Sequence, residues 1–261
     1  MNGAPADRRG RLALAVQRAA GRLLSPFWVP AVMLLMRTRG WRLEGAAAVR
    51  RQYRTLWQAD EGPILICANH LTMIDSAIVA WALGSPMWLL AHYAALPWNV
   101  PERRNFSASL ASRILVYLMK CVPVTRGGDR DEVARVLGRL THLLRRGETV
   151  LMFPEGGRSR TGRVDPENVA YGIGRLIAAV PGCRVVCVYV RGEQQDGFSD
   201  LPVAGERFHV RLASLRPATP LGGLRGARDL TQQVGRALAE LEHAHFRDLG
   251  AGSLAGAGDA R

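Results

Sequence analysis

A chain of 261 residues, 48% of them hydrophobic, can bury a sizeable core as one large α/β domain or as a domain with an added segment. Its formal charge of +13 and pI near 10.9 imply anionic partners, and Lys120 is the only lysine, so the basicity is almost all arginine. The runs Arg8-Arg9-Gly10-Arg11 and Arg50-Arg51 through Arg54 lack the interleaved aromatics and the module of a nucleic-acid binder. This excludes nucleic acid as the expected partner and favours a surface of anionic membrane lipids.

Residues 1–10 are expected to be disordered. Residues 11–24 place Leu12, Val16, Ala19, Ala20 and Leu23 against Arg11, Arg18 and Arg22, a basic amphipathic pattern. The apolar run Leu23–Met36 carries Pro26 and Pro30 and is short for a straight span, which takes about 20 residues. No small-residue cleavage site follows, so a signal peptide is not expected. Residues 11–36 therefore read as a helix pair lying in, or dipping into, one leaflet, the alternative being a soluble helix packed on the core.

Ile64-Leu65-Ile66-Cys67-Ala68 reads as a buried strand, and the apolar stretch from Ser76 to Leu83 as the helix after it. Between them lies Asn69-His70-Leu71-Thr72-Met73-Ile74-Asp75, where a strand hands over to a helix at the carboxyl edge of a sheet. A neutral imidazole takes a proton from a hydroxyl near pH 7, and a carboxylate on its other nitrogen fixes the tautomer. Five positions are about 1.4 helical turns, too far round for facing side chains. His70 must therefore sit before the helix begins if Asp75 is to reach it. Taken alone, the pair equally describes a buried histidine beside a helix cap.

Gly84-Ser85-Pro86 divides the uncharged run that continues to Val100, and Met87–Ala91 is expected to be a buried strand. Trp88 reads as core; Tyr93 and Trp98 are core or line the path of an apolar substrate. Residues 106–119 form an apolar helix leading to a strand at Arg126. Asp129 or Asp131 starts the clearest helix, with Val133, Val136, Leu137, Leu140, Leu143 and Leu144 at spacings of three and four, and Gly147 stops it.

Val150–Phe153 is a second buried strand, followed by Pro154-Glu155-Gly156-Gly157-Arg158-Ser159-Arg160. Here again polar groups follow a strand, so both clusters are expected to open on one edge of one sheet. Gly156 and Gly157 permit close approach or positive φ, Arg158 offers a fork of donors for phosphate or carboxylate, and Glu155 can accept bonds from hydroxyls. A helix over 168–180, strands over 184–191 and 208–213, a helix over 228–247 and a disordered tail from Gly250 complete the reading. Strands alternating with helices predict an α/β fold with a mostly parallel sheet flanked by helices. Of the four cysteines, Cys183 and Cys187 would stand about 13 Å apart on one strand, too far to bond. With Cys67 and Cys121 they read as buried thiols of a reducing compartment, and no metal is implied. His243 and His245 read as solvated.

Asn69-His70 to Asp75 and Glu155-Gly156-Gly157-Arg158-Ser159 together resemble the glycerolipid acyltransferase family, which includes the 1-acylglycerol-3-phosphate acyltransferases. The first matches the family's Asn-His-x4-Asp block, and the second matches Glu-Gly-Thr-Arg-Ser with Gly157 in place of Thr. Val122-Pro123-Val124-Thr125-Arg126 loosely resembles a third block, with Lys120 where the family usually has Gly, and Val186-Cys187-Val188 a fourth, with Cys187 for Pro. The blocks agree in order over about residues 60–190. The resemblance implies a membrane-associated helical segment at 11–40 and an acyltransferase domain at 41–249, on the cytoplasmic face of the inner or plasma membrane.

It also implies roles: His70 as base oriented by Asp75, Arg126 and Arg158 on the acceptor phosphate, Glu155 on its glycerol, and Asn69, Gly156 and Gly157 about the bound substrate. The acceptor would be a lysophospholipid, by default 1-acylglycerol-3-phosphate, the alternative being a reaction with another lysolipid or a specialised acyl donor. The donor would be acyl-CoA or an acyl carrier protein, with no further cofactor. Three rivals stand beside this reading. A serine hydrolase wants Gly-x-Ser-x-Gly, which Gly157-Arg158-Ser159-Arg160-Thr161-Gly162 misses by one residue. A non-catalytic lipid-binding protein would not need His70 and Asp75 together, and a nucleic-acid binder would need neither cluster.

Overall fold

The computed structural model describes residues 8–103, 109–125 and 127–256. Arg126, the expected phosphate ligand, lies outside them, as do most of the 1–10 segment and residues 257–261 of the tail. The chain runs α1 (Arg8–Thr38), β1 (Arg42–Leu43), α2 (Ala46–Gln58), β2 (Ile64–Ala68), α3 (Asp75–Leu83), α4 (Pro86–Ala91), a 3₁₀ turn (Tyr93–Ala95) and β3 (Trp98–Asn99). It continues through α5 (Leu110–Leu118), α6 (Arg130–Arg145), β4 (Val150–Met152), α7 (Gly172–Ala179), β5 (Arg184–Gly192), β6 (Arg207–Leu215) and α8 (Gly223–Gly256).

The six strands form one sheet in the order β1-β6-β5-β2-β4-β3. β2 pairs in parallel with β4 and β5, and β3 with β4, but β5 and β6 run antiparallel from Val185↔Leu215 to Gly192↔Phe208. The sheet is therefore mixed, not mostly parallel. Residues 193–206 hold no helix to carry the chain back across the sheet, and a return without a crossover makes an antiparallel neighbour. Residues 121–125 likewise form no strand: only Cys121 and Val124 make isolated bridges, to Asn99 and Glu102.

Period-two alternation along buried strands divides the core in two. Leu65, Cys67, Val150, Val185 and Cys187 face α6, α7 and α8. Ile64, Ile66, Ala68, Leu151, Val186 and Val188 face α3, α4 and the carboxyl half of α1. All four cysteines are buried and unbonded.

Met87–Ala91 is helical, not a strand. Pro86 sits in its first turn, and the Ser85 hydroxyl caps it by accepting from the Trp88 N–H. Trp88, Tyr93 and Trp98 are all core. Gly172 starts α7, later than expected, and Asp129 caps α6. α8 continues through Gly250 to Gly256, into the segment expected to be disordered. His243 is exposed, but His245 is buried against Tyr189 and His209, and burial pushes its imidazole down to about 4.

The expected helix pair at 11–36 is a single helix. Pro26 removes the N–H that would serve the Arg22 carbonyl, and the Ser25 hydroxyl donates to that carbonyl instead at 2.7 Å. Trp28 Nε1 likewise donates to Gly21 O at 3.0 Å. α1 is long and apolar enough to cross a bilayer, yet it buries Leu14, Gln17, Gly21, Ser25, Val29 and Met33 along one stripe. Gln17 Nε2 donates to Tyr117 O (3.0 Å) and Cys121 O (2.8 Å), and Arg18 pairs with buried Glu148.

Glu148 also meets Lys120 Nζ at 2.7 Å and Trp98 Nε1 at 2.8 Å. Lys120 is fully buried, and burial lowers its ammonium to about 8 against the opposing pull of Glu148. Its φ is +56°, which explains a glycine as the usual residue at this position. Here the strained backbone is held by the ion pair and by Nζ donating to the carbonyls of Tyr93 (2.9 Å) and Leu96 (2.6 Å).

Candidate active site

β2 and β4 lie side by side, Cys67 opposite Met152, so the segments that follow them emerge together at the carboxyl edge. The Asn69 side chain carries the β2–β5 ladder past Ala68↔Val188: Nδ2 donates to Val190 O at 2.9 Å and Oδ1 accepts from Val190 N at 2.8 Å. An amide clasped at both ends and 4% exposed is an anchor for the turn. Its polar atoms are taken up by the backbone of Val190, so any part it has in binding substrate runs through the turn it holds.

The turn brings Asp75, the first residue of α3, back to His70. Asp75 Oδ2 accepts from His70 Nδ1 at 2.9 Å and from the backbone N–H groups of Leu71 and Thr72, while Oδ1 accepts from the Thr72 hydroxyl. The non-helical start that the spacing demands is present. Because an ionised carboxylate only accepts, the hydrogen of neutral His70 belongs on Nδ1, which leaves Nε2 with its lone pair. The ring stacks on Phe153 with centroids 4.2 Å apart. Neither Thr72 nor Phe153 stood out in sequence, since a threonine beside a motif and a phenylalanine ending a strand carry no pattern of their own.

The second loop grips the backbone of the first. Ser159 N donates to His70 O at 2.8 Å, and His70 N donates to Glu155 Oε1 at 3.3 Å. Burial, reinforced by the charges of Glu242, Asp75 and Asp165, pushes the Glu155 carboxyl up to about 7. Gly156 takes φ +63°, so glycine is required by conformation there. Gly157 lies beside it, partly buried.

Arg158 reaches a third segment that sequence did not flag. Its Nη1 donates to Ser199 O at 3.0 Å and to Asp200 Oδ1 at 2.6 Å, and its guanidinium lies 5.2 Å from the Phe198 ring centroid. That segment is tied to the first loop by Ser199 N to Leu71 O (3.0 Å) and Met73 N to Asp200 O (3.2 Å). Three loops are thus laced around His70. Farther back, Glu242 receives Val164 N at 3.2 Å and Arg163 Nε at 3.1 Å, and Arg191 holds the Gly162 carbonyl, so α8 and β5 steady the 156–164 loop.

Ser159 does not serve as a nucleophile in this arrangement. It is buried, its hydroxyl donates to Arg163 O at 2.6 Å, and the one hydrogen-bond partner of the His70 ring among the described residues is Asp75. This arrangement gives the serine-hydrolase rival no support. Among the described residues no cluster of three or more His, Cys, Asp or Glu could hold a metal.

A family model described as acyltransferase matches residues 42–191, from β1 through the body of β5 and over more than half of the chain. The chain belongs to the glycerolipid acyltransferase family. No curated protein matches it in sequence. As a member of this acyltransferase family it is an O-acyltransferase of glycerolipid synthesis. The acyltransferase match contains His70, Asp75, Glu155 and Arg158, whereas α1, β6 and α8 fall outside it.

Proposed function

We propose that the enzyme moves an acyl chain from a thioester, acyl-CoA or an acyl carrier protein, to the free hydroxyl of a lysophospholipid. The acceptor is 1-acylglycerol-3-phosphate and the product phosphatidic acid. The observation that carries this reading is the His70–Asp75 couple, with Nδ1 on the carboxylate and Nε2 left to accept a proton.

In this reading the acceptor hydroxyl gives its proton to His70 Nε2 as its oxygen attacks the thioester carbonyl. Asp75 steadies the imidazolium, and collapse of the tetrahedral intermediate expels the thiolate, which takes the proton back from His70. Arg158, with Arg126, holds the acceptor phosphate; its Nη2 and Nε are free to do so, because its hydrogen bonds among the described residues run through Nη1. Glu155, titrating near neutrality, accepts from or donates to the glycerol, and Gly156 and Gly157 let that part of the acceptor approach the backbone. Asn69 acts through the turn it anchors.

The reaction runs at the cytoplasmic face of the inner or plasma membrane, on which α1 rests through its uncovered apolar side; anionic lipids meet the arginine-rich surface. Mass spectrometry of lipids formed from a panel of lysolipids with each donor type tests the proposal. Phosphatidic acid formed by the wild type and lost in His70→Ala is expected. Product from a different acceptor alone would replace the substrate, and thioester hydrolysis without acylation would replace the reaction.

A further inference from the structure

We propose that α5 is a second lipid-contacting element, which together with α1 seats the protein on an anionic bilayer. It rests on the reading of α1 as a helix in contact with the membrane, and not on the identity of the acceptor.

α5 has the composition of a core helix without the burial of one. Of its residues only Val116 is buried, while Leu110 (69% exposed), Ile114 (51%) and Tyr117 project from a stripe spaced four and three apart. Soluble surface helices of this length carry their apolar residues inward. The Ser109–Ser112 capping box ends the helix cleanly at its exposed start, so the apolar stripe belongs to a defined helix.

α1 repeats the pattern beside it. Leu12, Val16, Leu23, Phe27 and Leu34 are exposed at intervals of four and seven, with Leu23 at 76% and Phe27 at 75%. These residues run the length of the helix along a face distinct from the buried stripe of Leu14, Gln17 and Gly21. An apolar stripe along a helix docked over its whole length suits a helix lying in the interface, where a span would be apolar all round. The two helices touch closely: a Cβ on Gly21 would stand 2.6 Å from Leu118 O. Gln17 reaches the carbonyl of Tyr117 from the same side.

Charge selects the occupant. Neither helix contains an acidic residue, and Arg8, Arg9, Arg11, Arg22 and Arg113 are exposed on them. A second copy of this chain would set these arginines against their own kind, whereas anionic headgroups neutralise them while acyl chains take the leucines.

The four native thiols are buried, so an introduced surface cysteine can be labelled alone. Full-length protein carrying an environment-sensitive fluorophore at Ile114→Cys, Leu23→Cys (α1) or Arg225→Cys (exposed, α8) is mixed with vesicles of phosphatidylcholine and phosphatidylglycerol. A blue shift and quenching by brominated acyl chains are expected at 114 and 23 but not at 225. Leu110→Ser with Ile114→Ser should weaken vesicle flotation about tenfold without lowering the melting temperature. That double variant should still acylate a monodisperse short-chain acceptor at the wild-type rate, which keeps this test separate from the catalytic one. A response at 23 with water-like emission at 114 overturns the proposal. So does a concentration-dependent blue shift at 114 without vesicles, which would mark a second copy as the occupant.

Discussion

The loops after β2 and β4 leave adjacent parallel strands, yet they hold their carboxylates in opposite ways. Asp75 is fixed by four donors and has one orientation. Among the described residues Glu155 has a single hydrogen bond, at 3.3 Å, and burial leaves it near the point of neutralisation. Arg158 is tied to Asp200, whose side chain is 77% exposed, so solvent or a competing anion can readily take its place on the guanidinium. The first loop is built to hold one geometry and the second to exchange partners. This is the division that the proposed roles, a base at His70 and a binding surface at Arg158, would require.

The sharpest way to break the comparison is His70→Ala, which should lower kcat about a thousandfold while circular dichroism and melting temperature stay near wild type. Turnover within tenfold of wild type would remove His70 as the base. Asp75→Asn should lower kcat about a hundredfold or more by spoiling the tautomer, with a fall in stability of about 2 kcal/mol from mispaired backbone N–H groups, read by denaturant melts.

Arg158→Ala belongs to the exchanging loop. It should raise the acceptor KM about tenfold and leave kcat nearly unchanged; an unaltered KM would move the phosphate elsewhere.

Glu155→Gln is the smallest effect and carries a definite sign. A carboxyl raised in the folded state favours folding when protonated. That stability is complete below its ordinary pKa of about 4.5 and is lost as pH rises through about 7. The variant should therefore flatten the decline of melting temperature between pH 5 and 8 and gain about 3 °C at the upper end. An identical decline in both proteins would mean that Glu155 is not the group responsible.

The fixed loop was legible in sequence because its logic is local: a five-residue spacing, a strand before it and a helix after it. Both loops on one edge followed from the same argument. The exchanging loop was legible only in part, since Phe198, Ser199 and Asp200 lie some forty residues from Arg158, and only tertiary pairing brings them there. The anchoring bonds of Asn69 are not legible in sequence, because its partner Val190 lies 121 residues away and contributes only backbone. The helix at Pro86 was hidden because six apolar residues fit either period, and the capping Ser85 decided between them. His245 was placed in solvent because its charge pattern is that of a surface helix, but β5 covers it.

The pairing of Arg18 with Glu148 spans 130 residues of chain. During synthesis α1 leaves the ribosome well before its carboxylate partner, along with Trp98 and Lys120, has been made. For that interval the inward stripe of the helix has no sheet to rest against. The order of synthesis therefore lets α1 complete its docking only after the segment that leads into β4 and the second loop has been made.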